Sequence, residues 1–234
     1  SNLQKNEELK NVLLEETPWV LEAKNEAKQK EKLVLLFDRN RANLLTRQAV
    51  DKLRELQTPE GGWSWFKDFR PSRSITQYIL YGFSQLKELK AVEFTDDIRT
   101  MQAKAVSYID SEALRGFEQL KKHDKNWRNI EVISTPDLEY LYVRSVYPQY
   151  TLSKDVQEMV NFYMASLVAN QTKYGLYERS LIVVLMSRQG KQSVVSDILN
   201  SFREHATVND EMGMYWANNR NNVFMSQSAI SAHT

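Results

Sequence analysis

The chain has no cysteine in its 234 residues, which excludes disulfides, thiolate nucleophiles, iron–sulfur clusters and cysteine-ligated zinc within it. Glycine and proline are scarce, seven and five residues. They fall mainly where helical patterns stop, so the segments between them can run as long helices. No charge sign dominates: 31 basic side chains stand against 30 acidic ones, interspersed along the chain. That balance removes the basic footprint of nucleic-acid binding, and neither DNA nor RNA is an expected partner. No apolar run approaches the roughly 18 residues of a membrane span; the longest, residues 181–186, is bounded by Arg179 and Arg188. The chain opens Ser1-Asn2 without an initiator Met or a signal-peptide pattern, and residues 226–234 read as the opening of a further helix. The expectation is a single helical domain over residues 1–234, excised from a longer protein and incomplete at both ends.

What is present is a set of aromatic turns. Residues 53–66 read Leu-Arg-Glu-Leu-Gln-Thr-Pro-Glu-Gly-Gly-Trp-Ser-Trp-Phe. Here Thr58, Pro59, Gly61 and Gly62 stop a helix and permit positive φ, while Trp63, Trp65 and Phe66 supply apolar surface that predicts packing of the turn onto neighbours. Weaker versions follow at Asn126-Trp127, at Lys173-Tyr174-Gly175-Leu176-Tyr177 and at Met212-Gly213-Met214-Tyr215-Trp216. The recurrence suggests a degenerate repeat of helix pairs.

Between the turns, helical periodicity dominates. Helices are predicted over residues 3–14, 19–37 and 39–57, with Thr17 and Pro18 at the junction of the first two. Beyond these, amphipathic segments near 97–121, 153–171 and 191–206 alternate with segments near 74–89, 136–147 and 176–188 that are apolar nearly all round. Thr95 and Thr135 read as N-caps and Gly190 as a C-cap, while residues 130–133 read as loop rather than strand. Outer helices with one wet face, aromatic turns and inner buried helices define an all-α fold, an α/α toroid or a partial ring of helix pairs.

The ordered set of motifs carries a family resemblance. The Gly-Gly-Trp-Ser-Trp-Phe turn leading into Ser74-Ile75-Thr76-Gln77-Tyr78-Ile79-Leu80 resembles the thioester-domain region of bacterial alpha-2-macroglobulins. So do Leu14-Glu15-Glu16-Thr17-Pro18-Trp19-Val20 and Asp210-Glu211-Met212-Gly213-Met214-Tyr215-Trp216, in the long form typical of Bacteroidetes. The resemblance implies a module of a large extracytoplasmic protein, periplasmic or on the cell surface. In that family cleavage of a bait segment releases strain, and a Cys–Gln thioester then captures the attacking protease. The implied partners are the other domains of the parent macroglobulin and, through the parent, target proteases. The chain departs from the family pattern in lacking the thioester Cys, which in this protein would precede Ser1.

Candidate site residues follow from both readings. Trp63, Trp65, Tyr215 and Trp216 read first as wedges between helix pairs, with a docking or thioester-shielding surface as their functional alternative. His123, in the polar stretch Lys121-Lys122-His123-Asp124-Lys125, occupies the part of the fold where some complement-type domains keep an acyl-transfer histidine. Its neighbours match no motif, and a solvated loop histidine is the simpler reading, as it is for His205 and His233. The pair Asp96-Asp97 reads as helix-start charge, and so do Glu139 and Glu178, which are also the best pair of carboxylates for a glycan-cleaving site. Asn170-Gln171-Thr172 matches the glycosylation pattern. No cofactor, metal or catalytic residue is expected. The reading is a non-catalytic thioester-domain fragment of a protease-trapping protein; the alternative is an α/α toroid enzyme acting on glycans, a hydrolase or lyase.

Overall fold

The structure is a computed structural model that describes residues 39–89, 93–209 and 213–216. The helices expected over 3–14 and 19–37, and the helix opening expected at 226–234, lie outside the described residues. The chain divides into two compact units, Ser1–Glu55 and Leu56–Thr234. The described part of the first is α1 (Arg39–Leu56), a polar helix whose exposed side carries the pairs Lys52–Glu55 and Arg54–Asp51 three residues apart.

The second unit is almost wholly helical. Its helices are α2 (Arg73–Glu88), α3 (Asp96–His123), α4 (Thr135–Ser145), α5 (Lys154–Asn170), α6 (Leu176–Arg188) and α7 (Gln192–His205). Single 3₁₀ turns follow α3 (Trp127–Asn129) and α5 (Gln171–Lys173). A short antiparallel pair, β1 (Thr207–Asn209) and β2 (Gly213–Tyr215), closes the described chain, with Val208 opposite Met214. Residues 130–133 form no strand.

Helix α4 lies between α2 and α6, while α3 packs across α2, α4 and α5, and α7 packs on α6. The inner surface of these contacts is dry. Leu80 of α2, Ile109 of α3, Leu138 of α4, Met159 and Leu167 of α5, Ile182 and Met186 of α6 and Ile198 of α7 have no accessible surface. Each such side chain contributes roughly 1.5–3 kcal/mol by leaving water. Inner helix α2 differs from the all-round burial expected of it: Tyr78 is 76% exposed and Leu86 is also on the surface. Its buried face is carried by Thr76, Gln77, Leu80, Phe83 and Ser84. Apolar composition alone therefore overstated how much of α2 is covered, because tyrosine and leucine also occur singly on surfaces.

Cap chemistry sets the helix ends. Ser72, Ser134 and Ser153 stand at the N-caps of α2, α4 and α5, where each hydroxyl accepts from the backbone N–H three residues on. The α4 cap is thus Ser134 rather than the expected Thr135, which is the first helical residue ahead of Pro136. Thr95 occupies the N-cap of α3, but its side chain makes no capping bond; the acidic Asp96 and Asp97 supply the favourable charge there. Gly190, at φ +70, ends the α6 turn as expected, and the following Lys191 N–H reaches back to the Met186 carbonyl at 2.9 Å.

The turn at 57–63 is a tight backbone knot pressed onto α3. Thr58 N–H donates to the Gly62 carbonyl and Gly61 N–H to the Thr58 carbonyl, both at 2.9 Å. Gln57 Nε2 donates to the carbonyls of Gly61 and Met101, tying the knot to α3. Gly61 sits at φ +96, and an added Cβ there would lie 2.5 Å from the Lys104 carbonyl oxygen. Trp63, 2% exposed, is held by its backbone: its N–H donates to Thr76 Oγ1 at 3.0 Å, and its carbonyl accepts from Ser72 N–H at 2.8 Å.

One buried ion pair joins α3, α4 and the segment leading to α5. Arg144, 6% exposed, pairs through Nε with Asp110 at 3.0 Å, and Tyr140 donates its hydroxyl to the same carboxylate at 2.7 Å. The remaining guanidinium nitrogens donate to the carbonyls of Tyr147 and Tyr150. Burial pushes the Asp110 carboxyl above its ordinary value, against the opposing pull of the Tyr140 hydrogen bond and the Arg144 charge.

Gly61→Ala should lower stability by about 1–2 kcal/mol from its left-handed backbone alone, with the Lys104 contact adding to the loss. Gly82→Ala, within α2 where an added methyl meets nothing within 4 Å, should raise stability by about 0.5–1 kcal/mol. Urea melts of the two variants test this; equal effects at both glycines would contradict the packed-turn geometry.

Candidate functional site

The starts of α2, α4 and α6 converge, and polar residues of their first turns, with Glu139 one turn further into α4, form a side-chain network. Arg73, at the first turn of α2, forks across to α4: Nη1 pairs with Asp137 at 2.8 Å and Nη2 donates to the Pro136 carbonyl at 3.0 Å. Its Nε donates to Gln77 Oε1 at 2.8 Å, and its Cζ lies 5.2 Å from the centre of the Tyr140 ring. Asp137 also accepts from Ser134 Oγ and from the Tyr163 hydroxyl. From α6, Tyr177 donates to Glu139 Oε1 at 3.2 Å, while Thr135 of α4 donates to Glu178 Oε1 at 3.3 Å.

The structure therefore brings Glu139 and Glu178 into one cluster. Burial pushes the Glu139 carboxyl above its ordinary value, opposed by the Tyr177 hydrogen bond and the Arg73 charge and aided by the charge of Glu178. Chemically, a carboxyl raised in this way is proton-holding, and the cluster has the ingredients of an acid–base pair. Its geometry is that of helix-start wiring: each carboxylate is engaged by a hydroxyl, and Glu178 folds back over Gly175, the N-cap of α6. Cavities of about 590, 460 and 210 Å³ open among the described residues, and Glu139 and Glu178 line none of them.

The other expected site residues are scattered. Trp63 is core. Trp65, by contrast, is 71% exposed and Phe66 69% exposed, so the expectation that the whole turn packs onto the fold holds for Trp63 alone. The physical reason is the knot itself. The chain leaves α3 after Trp63, and residues 64–70 loop out before Ser72 returns to pair with Trp63. In that loop Phe66 packs edge-on to Phe69, centroids 5.7 Å apart, and Asp68 adopts φ +66. His123 is exposed at the last residue of α3, where a basic group complements the helix end. Fifteen residues of α3 separate it from Tyr108, whose hydroxyl donates to Pro71 beside the turn; the helical rise places that about 22 Å away.

Tyr215 and Trp216 are half-buried. Trp216 Nε1 donates to the Phe202 carbonyl at 2.8 Å, and its ring stands edge-on to Phe202 at 6.1 Å, which seats it on α7 as a wedge. His205, exposed on α7, has Nδ1 2.7 Å from the Ser201 carbonyl. His233 lies outside the described residues. Trp127 joins Phe117, Phe162 and Tyr163 in a ring cluster between α3 and α5, with centroids 5.2–5.9 Å apart. Asn170 turns its side-chain amide back to the Ser166 carbonyl at 3.2 Å, so the nitrogen of the glycosylation pattern is engaged.

The arginines were absent from the expected set. Arg73, Arg144 and Arg179 anchor the inner helices, and the signal available was a lone basic residue within an otherwise apolar run, Arg144 in 136–147 above all. Among the described residues no group of three or more His, Asp or Glu is placed to hold a metal ion, and no helix is long and apolar enough to cross a membrane. Comparison with protein-family models, with curated proteins and with solved structures returns no match.

Trp63→Ala should cost about 3–5 kcal/mol of stability, the usual loss for a packed aromatic. Trp65→Ala should fall within about 0.5 kcal/mol of wild type, as exposed substitutions do; urea melts with losses in the reverse order would invert the assignment of core and surface.

Glu139 also makes stability depend on pH. The folded protein holds its proton more tightly than the unfolded chain, so this stability is fully present below the ordinary value of 4.5 and is lost as pH rises through the raised one. Glu139→Gln should therefore show a smaller decline in stability between pH 4 and pH 7 than wild type, read by thermal melts. An identical decline in both proteins would remove Glu139 as its source.

Proposed function

We propose that this chain is a non-catalytic helical module of a bacterial alpha-2-macroglobulin-like protease inhibitor, a segment of its α/α toroid that serves as scaffold in protease trapping. The observation that carries the reading is the layering: α4 sits between α2 and α6 with α3 across them, and the buried Trp63 turn is knotted onto α3. Consecutive inner helices starting at one end, with outer helices between them in sequence, are what a ring of helix pairs requires. The motif resemblance supplies the family, and with it an extracytoplasmic setting and partnership with the other domains of the parent chain. Thioester chemistry needs a cysteine sulfur as leaving group, and these 234 residues supply none.

The second reading, a toroid enzyme cleaving glycans, is favoured by the approach of Glu139 and Glu178. It is opposed by the hydroxyl partners that engage both carboxylates and by the absence of both from the lining of the cavities described above.

Incubation of the 234-residue chain with methylamine and with a panel of proteases, followed by intact-mass measurement under denaturing conditions, should show no covalent adduct. With 31 basic and 30 acidic groups, electrostatic steering toward a charged protease is weak, so any association should be non-covalent and salt-insensitive. A mass gain of one amine or one protease would overturn the scaffold assignment. Release of reducing ends from a glycan panel, abolished by Glu139→Gln or Glu178→Gln, would establish the enzyme instead.

A further inference from the structure

The arginines of the second unit are unequally satisfied. Arg73 and Arg144 each spend their donors on an aspartate and on backbone carbonyls. Arg179, in the first turn of α6, has no carboxylate partner among the described residues. Its Nη1 donates to Ser201 Oγ at 3.1 Å, and its Nε is enclosed with no acceptor among the described residues. Guanidinium carries five N–H donors in a planar fork, so a single bond to a hydroxyl leaves most of them without an acceptor among the described residues. Burial lowers the Arg179 pKa, and no neighbouring acid opposes that shift.

The side chain lines a cavity of about 210 Å³ between α6, α7 and Trp216. Its walls are largely aromatic: Tyr174, Phe202 and Trp216, with Ser201 and His205 as the other polar groups. The Phe202 ring lies 5.3 Å from Arg179 Cζ and holds the guanidinium plane, while the Trp216 bond to the Phe202 carbonyl fixes the indole at the rim. Drug-sized sites span roughly 300–1,000 Å³, whereas a cavity of about 150 Å³ holds a benzene ring. The space therefore suits one ring and a short acidic arm.

We propose that the Arg179 cavity is a binding site for a small organic monocarboxylate with a flat apolar body. The carboxylate takes Nη2, the terminal nitrogen that is neither bonded to Ser201 nor enclosed and that has no acceptor among the described residues, in a charge-assisted hydrogen bond to a planar anion. The ring stacks within the Tyr174, Phe202 and Trp216 walls. A single arginine matches one negative charge, and an apolar wall penalises a fully hydrated dianion, so inorganic phosphate is disfavoured. The inference is independent of the macroglobulin reading, since it uses only side chains of α6 and α7, Tyr174 ahead of α6 and Trp216 after β2.

The test is a titration of the ¹⁵N-labelled 234-residue chain with phenylacetate, with neutral phenylacetamide and with inorganic phosphate, followed on arginine Nε–H and tryptophan indole N–H resonances. Phenylacetate should shift the Arg179 Nε–H and the Trp216 indole saturably. Phenylacetamide should bind at least about tenfold more weakly, the loss expected when a charge-assisted hydrogen bond becomes a neutral one. Arg179→Gln should lose phenylacetate binding by about the same factor, and Ser201→Ala should retain it, because Ser201 accepts from the nitrogen that the ligand does not need. If Arg179→Gln fails to fold, the acid and amide probes on wild-type protein decide the matter. Equal binding of acid and amide, tighter binding of phosphate than of phenylacetate, or no saturable shift would each overturn the proposal.

Discussion

The Arg144–Asp110 pair is the constraint on which the second unit depends. A guanidinium buried in the last turn of an inner helix is tolerable only when its charge is matched and its donors are spent. Asp110 on α3 supplies the charge, and the carbonyls of Tyr147 and Tyr150 take the rest. Those carbonyls lie just beyond the end of α4, and the Tyr147 carbonyl takes the guanidinium in addition to the Tyr150 N–H. The pair thus sets how α3 crosses α4 and how the chain turns toward α5. Replacing only one partner would strand the other charge, so the two residues act as a unit rather than as separate contributions.

The starts of the inner helices repeat this logic at the surface. Arg73 links α2 to α4 through Asp137, Thr135 links α4 to α6 through Glu178, and Tyr177 returns the link through Glu139. Carboxylates at helix starts are favoured by the exposed N–H groups there, and gathering three starts together concentrates acidic residues in one place. Such a concentration resembles a catalytic pair when read along the chain. In space the hydroxyl partners and the Gly175 cap account for both glutamates, which is why the cluster supports the scaffold reading more than the enzymatic one.

The surface has two contrasting features. Trp65, Phe66, Phe69 and Tyr78 stand exposed near the Trp63 turn, whereas the Arg179 cavity is small, aromatic-walled and holds an under-used cation. Exposed rings alone carry no chemical selectivity. In the proposed site the cavity does, since its shape and its one cation each restrict what fits, and this separates a surface that merely tolerates contact from one that can choose a ligand.

Helix existence and order were legible in the chain itself. Periodicity placed α3 at 97–121 against the observed Asp96–His123, and α5 at 153–171 against Lys154–Asn170, because an amphipathic stripe reports the helix that makes it. Gly61 and Gly190 occupy left-handed positions, as the glycine pattern suggested, whereas Gly62, grouped with Gly61 in that expectation, does not. Tertiary structure alone decided which member of each pattern is used. Ser134 rather than Thr135 caps α4, and Trp63 rather than Trp65 enters the core, because neighbouring residues of like chemistry differ in the direction the backbone gives them. It alone also decided the partners of the inner-helix arginines. Periodicity can mark Arg144 and Arg179 as anomalies in apolar helices, but whether an aspartate waits thirty-four residues away or a cavity stands open depends on how the helices cross, which long-range packing sets.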